Sequence, residues 1–346
     1  DLQPYIDNAS KTSEDFDVED FYPSILNSAR WDGVEGHEMG EGSLWGLPMG
    51  FESTILVYNK RIFEEHGIEE PKTLEDVYEA AKALQGHSGE NTYGMALRGE
   101  LGWGTIITSY ETIYSMWGAK DFEIQDGKLV SCVNSPEAVE MTDWYVKLIQ
   151  DGGSPTWASA TWSSCGGELG AGTAAMMIDA TNNVFSQTIP ENAAEAENLV
   201  TIPIPLPEGK TEDDRVAQLY TWSLAMNSAS SHKDAAWLFL QYFSGKEYQN
   251  EASVSAKIVN TPRQSSFEQD SYQELLKNSV GFVDTFEATV DTTKMLYIPE
   301  SYFFEVSQTW CQTLQDLVEG KYSSTQEGMD DLKEKLDEIV SHVDVS

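Results

Sequence analysis

Residues 44–84 read LWGLPMGFESTILVYNKRIFEEHGIEEPKTLEDVYEAAKAL, and two structural signals stand side by side in them. Ser53–Tyr58 is a short apolar run of strand length. Pro71 then precedes Thr73-Leu-Glu-Asp76, a capping box whose hydroxyl and carboxylate each bind a backbone N–H at a helix start. Leu74, Val77, Ala81 and Leu84 follow at helical spacing and mark one apolar face. A strand leading into a capped amphipathic helix is the repeating unit of an α/β fold.

The alternation continues outward. Ser135-Pro136 predicts an N-cap with proline at the first helical position, and the helix runs to Gly152 as its stop. Ser231-His-Lys-Asp234 reads as a second capping box, opening AAWLFLQYF and closing near Gly245. Ser324-Thr-Gln-Glu327 reads as a third, leading into Met329, Leu332, Leu336, Ile339 and Val343. Strand-like runs occupy Ala174–Asp179, Leu199–Ile204 and Gln218–Met226. No repeat of 20 to 50 residues is visible, which excludes solenoids and propellers.

A chain of 346 residues predicts two domains or one large one. Its 40% hydrophobic and 11% aromatic content marks a globular protein despite a net charge of −37. That charge, 58 acidic against 21 basic residues, argues against a nucleic-acid backbone or an anionic membrane surface as partner. No run of 18 apolar residues occurs. The opening DLQPYID has neither a basic n-region nor an apolar h-region, so the expectation is that something was removed or trimmed ahead of Asp1. The acid excess, with 16 Lys to 5 Arg, fits an ordinary acidic extracytoplasmic protein better than salt adaptation. Cys132, Cys165 and Cys311 form no C-x-x-C and read as small buried hydrophobes.

Chemical motifs are scarce. The five histidines are isolated, so no metal is expected. Neither a P-loop nor a G-x-S-x-G elbow is present, and Gly40-Glu-Gly42 lacks the spacing of a dinucleotide fingerprint. No cofactor is expected. What invites a functional reading is tryptophan in polar, Gly- and Ser-rich loops at 31–50 and 152–172. Trp45, Trp103, Trp157, Trp162 and Trp222 fall outside helix faces that would use them as core.

The 44–84 segment resembles the "glP…E….YNkdlf…G…P.TweEl..aa..l" run of extracellular solute-binding proteins, the sugar-binding family of ABC importers. SPEAVEMTDWYVKLIQDGG (135–153), ELGAGTAAMMIDAT (168–181), LYTWSLAMNSASSHKDAAWLFLQYFSG (219–245) and LVEGKYSSTQEGMDDLKEKLDEIV (317–340) resemble further blocks of that family. The similarity covers nearly the whole chain and leans towards binders of polyols, monosaccharides or disaccharides. It implies a two-lobed, periplasmic-binding-protein-like (type II) α/β fold with ligand in the cleft. One lobe would take residues 1–54 and 205–278, the other 55–204 and 279–346. Hinge passages fall near Glu52–Tyr58, Leu199–Pro207 and residues 270–285. Family chains begin upstream of the element that DLQPYID resembles.

The resemblance also orders the candidate residues. Glu52, six before Tyr58, occupies a position where maltose-type relatives carry a carboxylate against sugar hydroxyls; an ionised carboxylate takes two neighbouring hydroxyls at once. Otherwise it forms a hinge salt bridge. Glu100, followed by Trp103, matches a position of similar role. Trp222 offers an indole face to the C–H face of a sugar or polyol, or else packs between strand and helix. Asp179 and Asn182 follow the AAMM strand, where relatives present a binding side chain, though Asp179 also suits a cap. Trp45 and Tyr302, with Trp157 and Trp162, are aromatic loop candidates. Arg263 would hold a ligand hydroxyl or a loop carboxylate. Tyr58 and Asn59 read as structural.

The leading expectation is a non-catalytic, monomeric receptor outside the cytoplasmic membrane, periplasmic or a surface-anchored lipoprotein. It would bind a small neutral carbohydrate or polyol and deliver it to ABC permease subunits. The alternatives are a glycoside hydrolase or lyase with paired carboxylates, and a polyamine receptor, since Glu and Trp also suit a cation. Ferric iron is disfavoured by the lack of an adjacent Tyr-Tyr pair.

Overall fold

The structure, a computed structural model, describes residues 1–257 and 260–345. The strands that matter are β1 (Leu47–Glu52), β2 (Thr54–Asn59), β3 (Tyr93–Ala96), β4 (Ala174–Ala180), β5 (Leu199–Ile202) and β6 (Tyr220–Leu224). Four of them form one sheet in the order β3-β4-β2-β5. There β2 runs antiparallel to both neighbours, while β3 and β4 are parallel. The expected runs at 53–58, 174–179 and 199–204 therefore become strands within a residue or two of the expected ends.

This sheet is buried on both faces, which explains why its strands read as unbroken apolar runs. Along β2, Leu56 and Tyr58 enter one core cluster while Ile55 and Val57 enter another, the period-two alternation of a strand. β4 splits likewise, Met176 and Ile178 to the first and Met177 to the second. The helices α1 (Leu74–Ala83), α2 (Pro136–Gly152), α3 (Thr181–Gln187), α4 (Lys233–Phe243), α5 (Phe303–Val318) and α6 (Thr325–Ile339) supply much of the cover. The first cluster joins Val77 of α1, Met141 and Tyr145 of α2, Trp310 of α5 and Leu332 of α6. At Gly94 in β3 the backbone of Ala81 lies where a Cβ would be, so α1 packs directly on the strand. The second cluster collects Ile25, Phe51, Phe185, Phe282 and Phe286.

Capping follows the sequence at two sites and departs at two. Thr73 and Asp76 form the reciprocal box of α1, and the Ser135 hydroxyl accepts from the Ala138 N–H at α2. The Ser324 hydroxyl caps α6, but the Glu327 carboxylate binds the Ser323 N–H instead of closing a box. The expected Ser231–Asp234 box does not form. His232 is the N-cap of α4 without a side-chain bond, and Asp234 pairs with Lys11 at 2.6 Å. Cys132, Cys165 and Cys311 are free thiols, the latter two buried. Among the described residues no helix is long and apolar enough to cross a membrane.

β1 lies outside the four-stranded sheet, pairing antiparallel with β6, and a single residue, Ser53, separates it from β2. The chain thus passes from one sheet to the other at Ser53, and that passage is clamped. The Ser53 N–H donates to the Thr181 hydroxyl at 3.1 Å, and the Thr181 N–H donates to the Ser53 carbonyl at 2.8 Å. The buried Thr181 hydroxyl also accepts from Asn260 Nδ2 at 2.5 Å. Thr181→Val keeps the shape but strands the buried Ser53 N–H and the Asn260 amide. Urea denaturation should show a loss of about 1–3 kcal/mol, the usual cost of orphaned buried donors. An unchanged midpoint would show that the clamp contributes nothing.

Candidate functional site

A cavity of about 380 Å³ opens at this passage, lined by Glu52, Arg98, Trp103, Trp162, Asn182 and Trp222 among others. Its position follows from the strands. Glu52 ends β1 opposite Tyr220 of β6, and Asn182 stands in the first turn of α3, directly after β4. The Ser53–Thr181 clamp brings the two together, so that Asn182 Nδ2 donates to Glu52 Oε1 at 2.7 Å. Trp222 Nε1 donates to the same oxygen at 3.2 Å. The β1–β6 register shifts between Trp222 and Ser223, an irregularity of the kind that re-aims a side chain. Trp222 remains 55% exposed. Among the described residues, no hydrogen bond occupies Glu52 Oε2.

Aromatic rings from two segments pack together at the cavity. Trp103 stacks on Tyr220 with centroids 5.6 Å apart and planes 11° from parallel, and Tyr220 meets Trp222 edge-on at 5.1 Å. Trp103 opens a helical turn that widens into a π-turn over Ile106–Tyr110, a distortion frequent at functional sites. That turn lines the cavity with Ile107 and Thr108, while the Thr108 carbonyl accepts from the Thr54 hydroxyl of β2 at 3.1 Å. Trp162 enters from the first residue of its own helix, Trp162–Gly170, which Thr161 and Ser164 cap reciprocally.

Charge is arranged in depth. Arg98 lines the cavity, and its guanidinium forks onto Asp179 with bonds of 2.9 Å from Nε and 2.6 Å from Nη2. Asp179 has no exposed side-chain surface. Burial alone would lower the Arg98 pKa, but the charge and bonds of Asp179, with Glu52 behind them, raise it above the ordinary arginine value. Burial raises the Glu52 pKa; the Trp222 bond, the Arg98 charge and the Asn182 bond work against that rise, and the Asp179 charge adds to it. The cavity therefore presents one desolvated carboxyl with a spare oxygen, one guanidinium held from behind, and flat aromatic surface. Such a set accepts hydroxyl protons at the carboxylate, donates to hydroxyl oxygens from arginine and amide, and covers C–H faces.

Of the residues expected from sequence, Glu52, Trp103, Asn182 and Trp222 meet at this cavity, as does Trp162. Others do not. Asp179 lies behind the wall with both oxygens bound to Arg98. Arg263 is fully buried elsewhere, donating to the Phe16, Asp17 and Ser244 carbonyls and to Asp20 at 3.1 Å, with Phe21 against its face. Glu100 is exposed and turns its backbone carbonyl, which accepts from Thr105, inward. Trp45 is 51% exposed and donates to the Trp31 carbonyl, and Tyr302 sits edge-on to His342. Trp157 belongs to the core, donating to the Arg98 carbonyl at 3.0 Å. Arg98, Tyr220 and Gln218 were not anticipated. The signal for Arg98 was its rarity, one of five arginines in a strongly acidic chain. Among the described residues no group of three or more His, Cys, Asp or Glu stands ready to hold a metal ion.

An α/β framework with a concave, aromatic-walled cavity where the chain crosses from a two-stranded to a four-stranded sheet defines a small-molecule binding architecture. The chain belongs to the bacterial extracellular solute-binding protein family, whose model matches residues 1–250. It is 34% identical over 322 residues, 92% of its length, to the erythritol/L-threitol-binding protein of Mycolicibacterium smegmatis, and spans 66% of that relative. It is 24% identical to the mannitol-binding protein of Pseudomonas aeruginosa, with 75% of this chain and 56% of that protein covered. Among solved structures, an ABC transporter solute-binding protein of Agrobacterium vitis with bound D-mannitol superposes with a TM-score of 0.78 at 22% identity. The overlap covers 96% of this chain and 79% of the other. The fold is therefore the two-lobed solute-binding fold expected from the sequence.

Because burial raises the Glu52 pKa, the folded chain holds that proton more tightly than the unfolded chain does. Glu52 then costs stability as pH rises from the ordinary glutamate value of ~4.3 through the raised folded value, and the cost is full once pH has passed that folded value. Glu52→Gln keeps an oxygen for Asn182 and Trp222 and removes the titration. Without ligand, the variant should match the parent at pH 4 and be the more stable of the two at pH 7 in urea denaturation. A parent that stays as stable as the variant across that range would contradict the assigned environment.

Proposed function

We propose that this chain binds a small neutral polyol or sugar outside the cytoplasmic membrane and presents it to an ABC permease, without chemistry on the ligand. The observation that carries the reading is the combination at one cavity of Glu52, held by Asn182 and Trp222, with Arg98 and the Trp103–Tyr220 stack. Two relatives named for tetritols and mannitol support the polyol class. Among the described residues Glu52 is the one carboxylate in the cavity lining, whereas hydrolysis of a glycoside requires two facing the scissile bond. Arg98 in the same wall opposes a polyamine. The reading extends to two lobes, residues 1–54 with 205–278 and 55–204 with 279–346, closing as a monomer over ligand bound at Glu52 and Trp222. It places the protein in the periplasm or on a lipid anchor at the cell surface.

Calorimetric titration with erythritol, L-threitol, ribitol, D-mannitol, maltose and spermidine tests it. A polyol or sugar should bind, and at 100 times its dissociation constant should add about 2.7 kcal/mol of stability. The affinity should change less than tenfold between low and high salt, because a neutral ligand has no charge to screen. Binding of spermidine alone, weakened tenfold or more by salt, would overturn the reading.

A further inference from the structure

Behind the Glu52 side chain lies a second compartment of about 370 Å³, and Glu52, Asn182 and Trp222 border both. Trp222, the largest of the three shared residues, is half exposed. We propose that the two compartments form one binding groove, the second taking a neutral glycosyl group attached to the polyol held in the first. This inference rests on the polyol reading and extends it to glycosylated alditols.

The chemistry of the second lining selects this class. Phe51, Phe185 and Ile189 give it apolar surface, while Ser186, Lys257 and Asn260 bring donors and acceptors. A pyranose ring presents that same mixture, C–H faces rimmed by hydroxyls. The amides of Asn182 and Asn260 are fixed along this lining through their Nδ2 atoms, the first on Glu52 and the second on the Thr181 hydroxyl. Lys257 stands at this compartment with φ +51, one of three non-glycine residues in the left-handed region among the described residues. Strain of this kind gathers at ligand clamps. Glu52 opposes an anionic ligand here and Lys257 a cationic one, which leaves an uncharged group.

Titration calorimetry with D-sorbitol and with maltitol, which is sorbitol carrying one glucosyl group, reads the proposal directly. The parent should bind maltitol at least tenfold more tightly than sorbitol. Ala256→Phe, an exposed position lining only the second compartment, should fill it. Its sorbitol affinity should stay within twofold of the parent while its maltitol affinity falls at least tenfold. Ser186→Leu, entering the compartment from α3, should give the same pattern. If sorbitol binds but maltitol gains nothing, or if the variants weaken both ligands alike, the second compartment is not a subsite and the polyol reading stands. If neither ligand binds, nor any polyol in the panel above, both readings fall together.

Discussion

The Thr181 hydroxyl and N–H together bind the Ser53 backbone at the point where the chain leaves one sheet for another, and the candidate site hangs on that pair. It fixes the end of β1 against the start of α3, which puts Glu52 within 2.7 Å of Asn182. A carboxylate taken out of water without partners would protonate or unfold its surroundings. Here the amide and the Trp222 indole satisfy one oxygen, and Arg98, which lines the same cavity, supplies compensating charge. Arg98 is positioned in turn by Asp179, whose place in a strand buried on both faces leaves it no other partner of opposite charge at hydrogen-bond distance among the described residues. The groups at the cavity are thus oriented by backbone geometry before any ligand arrives, which lowers the ordering cost of binding.

The fold was largely legible because its signals are local. The strand runs of β2 and β4, the Thr73–Asp76 box and the Ser135-Pro136 start depend on near neighbours in sequence, and all appear where expected. The Ser231–Asp234 pattern failed because Asp234 found a cation 223 positions away, which outcompeted a helix cap. Local spacing carries no information about such a partner.

The candidate site was legible only in part. Glu52 and Trp222 were recognisable from their motifs and residue types, and Trp103 and Asn182 from position. Asp179 and Arg98 show what was missing. Every residue of β4 is buried, so no alternation tells which side chains face a cavity, and the acid proved to be the support and the distant arginine the lining group. Arg263 took the second of its two expected roles, binding the Asp20 carboxylate. Its other partners are carbonyls from Phe16, Asp17 and Ser244, which leave no trace in residue identity. Aromatic residues in loops divide similarly, Trp157 into the core and Trp162 into the cavity, with nothing in their immediate sequence to separate them.

The role given to Glu52, an ionised acceptor of ligand hydroxyls, is most directly tested by a ¹³C NMR titration of its carboxyl carbon with and without a bound polyol. In the free protein the group should titrate above the ordinary glutamate value of ~4.3, in keeping with its burial. Hydrogen bonds donated to a carboxylate favour the charged form, so saturating ligand should lower that pKa. A Glu52 pKa that stays put or rises when the ligand binds would contradict the account.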